Sequence, residues 1–293
     1  MRPDGWHLTE DLDDFLAGAW DFLCSRPAVH TTPLTAVQKL RTQGAGATAS
    51  GAGATGFGWL VEDGEVRAAL LRPPTGRLTV TALSPGQADS LATHLVGLGR
   101  RPSGVLSDDA TATAFAGAWR RHTGAAPVRG WGARLHRLGT LTPPPRPPAG
   151  GGRIAGERDH EQLVRWCREF AADVGEAVTV DAGTWAGTRF AEKRYTFWET
   201  PDGTPVSMAG ANPLVGGQVR IDPVYTPAPR RGHGYAAAVT VEVSRAALAA
   251  GATEVVLFTD PANRTSNALY RRIGYVPLAD FCAYDFTHAG RYP

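Results

Sequence analysis

The residues with the clearest chemical potential lie in one stretch, Ile221-Asp-Pro-Val-Tyr-Thr-Pro-Ala-Pro-Arg-Arg-Gly-His-Gly-Tyr-Ala236. The pattern predicts a strand ending at Tyr225 or Thr226, a proline-punctuated turn, and a basic glycine-rich loop that opens a helix. Such a junction aims several unpaired backbone N–H groups and the positive end of a helix at one point. Arg231 adds a fixed positive charge, with Arg230 beside it. The arrangement reads as an anion site that suits a pyrophosphate best, the plain alternative being a glycine-rich turn with an incidental helix cap. Gly232-His-Gly-Tyr-Ala-Ala237 also fits the dinucleotide fingerprint GxGxxA formally. Against that, Pro227 and Pro229 part the strand from the glycines, and Asp260, at the end of the next strand, lies beyond the usual spacing of about 20 residues.

Read as Arg231-x-x-Gly234-x-Ala236, the loop resembles the acyl-CoA-binding signature of the GNAT superfamily of N-acyltransferases. A second stretch, Asn263-Arg-Thr-Ser266-Asn-Ala-Leu269-Tyr270-Arg-Arg-Ile-Gly274-Tyr275, resembles that family's Asn-to-Tyr signature. The two follow in family order, separated by one helix and one strand. The resemblance covers about residues 153–287 and is closest to the FR47-like branch, in which Val-Tyr-Thr-Pro leads into the Arg-Gly loop.

The resemblance implies a role for each of these residues. The strand end Val224, Tyr225 and Thr226 would splay from its neighbour and leave backbone groups to pair with the pantetheine of acetyl-CoA. The N–H groups of Arg231, Gly232, His233, Gly234, Tyr235 and Ala236 would bind the pyrophosphate. Asn263 would hydrogen-bond the pantetheine arm, and Ser266 would touch the cofactor from the same helix. Read alone, Asn263 is equally a helix cap, and His233 is a loop residue near phosphate rather than a base. Acyl transfer to an amine needs a neutral nitrogen, which costs a lysine-like amine about 4.6 kcal/mol at pH 7. It also needs a proton for the departing thiolate, which a phenol can supply. Tyr270 stands at the family's general-acid position, against the alternative of a ring packed beside Leu269 and Ile273. Where some relatives carry a strand glutamate, this chain has Gln218. Asp222 is then the nearest carboxylate on the strand and the assigned base, with Asp173, Glu176 and Asp181 as other proton acceptors or cation sites. No metal is implied.

The elements that must position these groups repeat in two halves. In the C-terminal half, a helix capped by Asp159-x-x-Gln162 carries the stripe Leu163, Cys167, Phe170 and Val174, with Trp166 beside it. A shorter helix is expected over 182–193, then strands at 195–198, 206–211 and 218–225. An almost wholly apolar helix covers 235–249. A strand at 254–259, a helix over 264–273 and a last strand pair at 275–276 and 281–286 close the half. The N-terminal half begins with a helix over 11–23 and a hairpin, 58–61 with 66–71, turned by Asp63-Gly64. It continues with a strand at 78–83, a helix opened by the Ser84-Pro-Gly-Gln87 capping box, a strand at 105–106, a helix over 110–121 and a strand over 129–138. Between the halves lies Gly139-Thr-Leu-Thr-Pro-Pro-Pro-Arg-Pro-Pro-Ala-Gly-Gly-Gly152, expected to be an extended linker. The division is therefore 1–140, a linker 141–152 and 153–293, both halves being α/β folds with a mixed sheet. Residues 44–58 read as a loop.

The N-terminal half lacks both signatures. Leu83-Ser-Pro-Gly-Gln-Ala88 has no basic residue or second glycine, and nothing near Trp119 matches the Asn-to-Tyr motif. It is expected to be a degenerate GNAT-like copy that packs on the active half and shapes the acceptor channel. Trp20, Trp59 and Trp131 are aromatics for such a channel, or simply core.

Composition narrows the function classes. The chain has 293 residues, 43% hydrophobic and 20% charged, with a net charge of +2, which suits two packed domains and excludes a mainly disordered chain. Its cations are scattered arginines with only Lys39 and Lys193 as lysines, which argues against a nucleic-acid surface. Cys24, Cys167 and Cys282 form no CxxC pair. The N-terminus is not a signal peptide and no apolar run spans a membrane, so the expected location is the cytoplasm. The expected activity is transfer of the acetyl group of acetyl-CoA to a primary amine, of a small molecule, by direct attack in a ternary complex. A protein N-terminus or lysine as acceptor, and a non-catalytic acyl-CoA sensor, are the alternatives.

Overall fold

The computed structural model describes residues 3–43, 55–73, 76–175 and 193–287. The chain packs as two units, Met1–Leu135 with Leu278–Pro293, and His136–Pro277. This division differs from a linear partition because the chain's last strand, from Leu278 on, lies with the first half's elements.

In the first unit the order is β1 (Gly5–Thr9), α1 (Leu12–Ser25), α2 (Thr31–Gln43), β2 (Gly56–Glu62), β3 (Glu65–Arg72), β4 (Leu78–Val80), α3 (Pro85–Gly97), β5 (Gly104–Asp108), α4 (Asp109–Thr123) and most of β6 (Ala126–Leu138). Asp11 caps α1 by accepting from Asp13 N at 2.8 Å and Asp14 N at 3.0 Å. The helix buries Phe15, Ala19 and Leu23, the face its spacing predicts. The β2–β3 hairpin turns on Asp63 at φ +54° and Gly64 at φ +73°, the backbone a tight two-residue turn requires. The α3 capping box forms as expected: Gln87 N donates to Ser84 Oγ, and Ser84 N donates to Gln87 Oε1 at 2.9 Å. Strand β1 and helix α2 are additions to the sequence expectation. Pairing is antiparallel through β1–β2–β3–β4 and parallel from β4 to β5. The strand beside β5 is β12 (Tyr275–Thr287), antiparallel, with Phe281 opposite Asp108.

The second unit repeats the order: β7 (Gly151–Ile154), α5 (His160–Asp173), β8 (Arg194–Glu199), β9 (Pro205–Ala211), β10 (Gln218–Tyr225), α6 (Tyr235–Ala249), β11 (Glu254–Thr259) and α7 (Arg264–Arg272). Pairing is again antiparallel through β7–β8–β9–β10 and parallel from β10 to β11. The strand next to β11 is β6. Each parallel pair thus receives its final neighbour from the opposite half of the sequence. The segment read as a linker is held at both ends: Gly139 N donates to Gly274 O at 2.9 Å, and Gly151 and Gly152 pair with Glu199 and Trp198 as part of β7. As an end strand, β7 tolerates glycines that a central strand would not. The expected strand pair at the end of the chain is one continuous strand, β12.

One cap differs from expectation. Asp159 makes no side-chain cap to α5. Its carboxylate instead takes both terminal nitrogens of Arg153, at 2.8 and 2.9 Å, and the N–H of Gly156 at 2.9 Å. A bidentate guanidinium outcompetes a single helix amide for the same oxygens. Val174 closes α5 as an exposed cap residue, and Ala171 takes the buried place in its stripe. The helix expected over 182–193, with Glu176 and Asp181, lies outside the described residues apart from Lys193, as do residues 44–54 of the expected loop.

The second unit's core has two sides. On one, α6 buries Val239, Val243 and Ala247 against Val219, Ile221, Val255 and Leu257. On the other, Leu163, Trp166 and Cys167 of α5 pack against Tyr195, Phe197, Met208 and Tyr225. Thr240 and Ser244 are buried on α6, and their hydroxyls bond the helix's own carbonyls: Thr240 Oγ1 donates to Ala236 O and Ser244 Oγ to Thr240 O, each at 2.7 Å.

Candidate active site

The site begins with a fork in the sheet. Strand β10 pairs with β11 over Gln218–Arg220 only, while its pairing with β9 continues to Tyr225 across an irregularity between Ile221 and Val224. Beyond Arg220, β10 follows β9 and parts from Leu257–Thr259 of β11. One flank of the Val224–Thr226 backbone thus turns toward an opening between two strands that begin as neighbours. The Asp222–Pro223 peptide at the bend is cis. The strand end is braced on its paired side, where Ser207 Oγ donates to Tyr225 O at 3.0 Å and lies 2.8 Å from Thr226 Oγ1.

After the fork, Pro227 leads through a 3₁₀ turn at Ala228–Arg230 into the glycine loop. Gly232 and Gly234 have φ of +83° and +82°, a left-handed backbone that turns the chain into α6 without a side chain in the way. No acidic residue stands in the first turn of α6 and no side chain caps it. Its first backbone bond runs from Ala238 N to Gly234 O, 3.1 Å, so the amides of Tyr235, Ala236 and Ala237 precede the helical ladder. Arg231 is half exposed; its Nε donates to Thr226 O at 2.9 Å and its Nη2 to Asp173 Oδ2. His233 is exposed, its ring 5.7 Å from that of Tyr235. The result is a bare, positive helix end with a guanidinium beside it, which fits a pyrophosphate.

Helix α7 supplies the second group. Asn263 Oδ1 accepts from Ser266 N at 3.0 Å, so Asn263 caps the helix, and both residues lie at its solvent end. The next residue, Asn267, is buried and was not singled out in the sequence. Its Nδ2 donates to Asp260 O and Asn263 O, each at 2.8 Å, and its Oδ1 accepts from Thr259 Oγ1 at 2.9 Å. His136 Nε2 from β6 lies 3.1 Å from the same Oδ1 and from Thr259 Oγ1. This cluster pins the loop that presents Asn263. Gly274, which closes the second signature, has φ +102°, and a Cβ there would stand 1.9 Å from Thr140 O, so only glycine fits.

Tyr270 is 9% exposed and packs edge-on to Tyr275, ring centroids 5.9 Å apart. Among the described residues its hydroxyl has no hydrogen-bond partner, so the ring is held by packing and not by its oxygen. Burial pushes the phenol well above its ordinary pKa, and the negative charge of Asp222 adds to this. The phenol therefore holds its proton at neutral pH.

Asp222 is brought near Tyr270, and its Oδ2 is bonded to Lys193 Nζ at 2.7 Å, with the same ammonium 2.8 Å from Asp222 O. Tyr225 turns to the α5 side, where its hydroxyl donates to Glu169 Oε2 at 2.8 Å; burial and that carboxylate raise its pKa to about 12. Gln218 is fully buried at the far end of β10, seven residues or roughly 23 Å of strand from Tyr225. Lys193, Glu169 and His136 are partners that no local pattern announces, because each comes from a different element.

A forked mixed sheet, a bare glycine-led helix end beside the fork and a buried phenol near the same strand make up the candidate site. The sequence model of the acetyltransferase (GNAT) family matches residues 161–275. The chain is similar in fold to a Drosophila protein (TM-score 0.61, 13% identity, 97% of this chain and 99% of that one). It is also similar to a tandem GNAT protein from the clavulanic acid biosynthesis pathway (TM-score 0.53, 13% identity, 98% and 100%). A GCN5-related N-acetyltransferase from Sphaerobacter thermophilus is a third such structure (TM-score 0.53, 19% identity, 97% and 96%). These likenesses run over nearly the whole chain and show a shared mixed α/β fold. No curated protein matches the sequence. Among the described residues, no group of His, Cys, Asp and Glu is placed to hold a metal, and no helix is long and apolar enough to cross a membrane.

Proposed function

We propose that the protein is an N-acetyltransferase that uses acetyl-CoA to acetylate a primary amine of a small molecule by direct attack. The observation that carries this reading is the conjunction in one unit of the β10–β11 fork, the uncapped α6 end and the protonated Tyr270. Acetyl-CoA, when bound, supplies an activated acyl group as a thioester. The backbone of Val224, Tyr225 and Thr226 binds the pantetheine as an added strand. The amides from Arg231 through Gly232, His233, Gly234 and Tyr235 to Ala236, with the Arg231 guanidinium, hold the pyrophosphate. Asn263, already positioned by its cap to Ser266 and by Asn267, offers its amide to the pantetheine arm.

Tyr270 gives its proton to the departing sulfur; burial keeps that proton in place until it is needed. Asp222 draws the acceptor's ammonium toward the fork and takes its proton through water, while Lys193 fixes the carboxylate's orientation. The test is acetyl-CoA titration by calorimetry followed by CoA-thiol release over an amine panel. Binding with turnover on at least one amine is expected, and binding without CoA release on any amine would favour a sensor instead.

A further inference from the structure

We propose that Arg220 anchors a carboxylate on the acceptor, so that the acceptor is an amino acid or a close relative carrying both an amine and a carboxylate. The inference rests on the acetyltransferase reading and deepens it. Along β10, Val219 and Ile221 pack into the α6 side of the core. Alternation turns Arg220 to the opposite face, where Tyr225 meets Trp166 and Leu163 of α5, and Asp222 follows at the irregularity between Ile221 and Val224. Residues two apart in a strand have backbones about 6–7 Å apart, close enough for their guanidinium and carboxylate to meet the two ends of one small zwitterion.

Arg220 Nε is sealed from solvent and has no hydrogen-bond partner, the one guanidinium nitrogen in that condition among the described residues. Among the described residues, the carboxylates of Glu169 and Asp173 on α5 and of Asp222 on β10 are engaged elsewhere. Glu169 accepts from Tyr225 Oη, Asp173 bonds Arg231, and Asp222 bonds Lys193. Burial holds the Arg220 pKa below the usual guanidinium value, with the charge of Asp222 working the other way. A guanidinium stays charged in proteins, and an unpaired buried charge is costly. The flat fork of N–H donors matches a carboxylate in a way that no amine or alcohol does. A ligand carboxylate would complete Arg220 while Asp222 receives the ammonium two residues along.

The test uses matched pairs: lysine against 1,5-diaminopentane, and tyrosine against tyramine, with acetyl-CoA and the full chain. In the natural protein the amino acid should exceed its decarboxylated partner in kcat/KM by about 30-fold or more, the lower end of what losing one member of a buried charge pair costs. In Arg220→Gln that ratio should fall toward one, with Arg220→Lys between. Equal rates within each pair, or a ratio unchanged by Arg220→Gln, overturn the anchor and leave acetyl transfer standing. As a readout independent of turnover, the sheltered Arg220 Nε–H should give a slowly exchanging NMR signal, absent in Arg220→Lys. That signal should shift on adding lysine and stay fixed on adding 1,5-diaminopentane. A signal indifferent to both overturns the anchor even if no amine is acetylated, whereas a lysine-specific shift without turnover retains the anchor and sinks the acetyltransferase reading.

Discussion

Replacing Tyr270 by Phe separates packing from chemistry more cleanly than any other change in this chain. The ring sits in the core beside Tyr275, Ile273 and Leu257, and Phe keeps all of that contact. The hydroxyl has no partner among the described residues, so its removal forfeits no protein hydrogen bond, and stability should move by less than about 1 kcal/mol. Acetyl-CoA affinity should likewise stay within about threefold, since the pyrophosphate loop and the fork are untouched. Loss of a general acid costs roughly 10²–10⁴-fold in rate, or about 2.7–5.4 kcal/mol of barrier at 1.36 kcal/mol per decade. CoA-thiol release gives kcat, calorimetry the affinity, and thermal unfolding the stability. The pH profile adds a second reading. An acid must keep its proton, and a phenol pushed above its ordinary value of about 10 keeps it to higher pH, so deprotonation of Tyr270 should cause no loss of kcat below about pH 10. A kcat within threefold of the natural protein's, or a kcat loss matched by lost acetyl-CoA binding, would refute the assignment.

Other expectations are as direct. Gly234→Ala places a Cβ in open space, its nearest neighbour Pro148 Cδ at 3.8 Å, but at φ +82°. The cost is then purely backbone, about 1–2 kcal/mol of stability measured by denaturant unfolding, together with weaker acetyl-CoA binding. Asn267→Ala removes three donated and two accepted contacts inside the α7 cluster and should cost about 3 kcal/mol, with a raised KM for acetyl-CoA as Asn263 loses its support. Tyr225, with a native pKa of about 12 against an unfolded value of about 10, binds its proton more tightly when folded. Its contribution is complete below pH 10 and fades as pH rises toward 12. Unfolding free energy measured across that window should fall less steeply in Tyr225→Phe, by up to one proton's worth of slope.

What the sequence discloses and what it withholds divide along the reach of the interactions. The bounds of β10, α6 and β11 follow from apolar periodicity broken by Pro227, Gly234 and Gly251, all local signals. The Ser84–Gln87 box and the Asp63-Gly64 turn are equally local, and both form. Asp159 carries the same kind of cap signal yet spends its oxygens on Arg153, six residues upstream and on the adjoining strand. Strand β7 hides in a glycine run, and Gly151 and Gly152 become a strand only because Glu199 and Trp198 of β8 are there to pair with them. The placing of β12 beside β5 and of β6 beside β11 is beyond any window of sequence, since the same short apolar pattern suits either neighbour. At the site the glycine loop and Tyr270 are legible, because backbone freedom and helix phase are properties of the segment itself. The ion pairs of Asp222 with Lys193 and of Arg231 with Asp173 depend on who stands opposite.

The fork between β10 and β11 has a consequence for the life of the protein as well as its chemistry. A sheet that opens in its interior carries an exposed strand edge in its middle rather than at its rim, where charges and prolines ordinarily guard against unwanted pairing. Val224–Tyr225 and Leu257–Thr259 offer such an edge to any extended peptide that reaches them. A pantetheine arm filling the gap would act as a removable guard strand, and at a hundredfold excess over Kd it would also deepen the native well by about 2.7 kcal/mol. The supply of acetyl-CoA would then set how long each copy stays soluble and intact, alongside how fast it turns over.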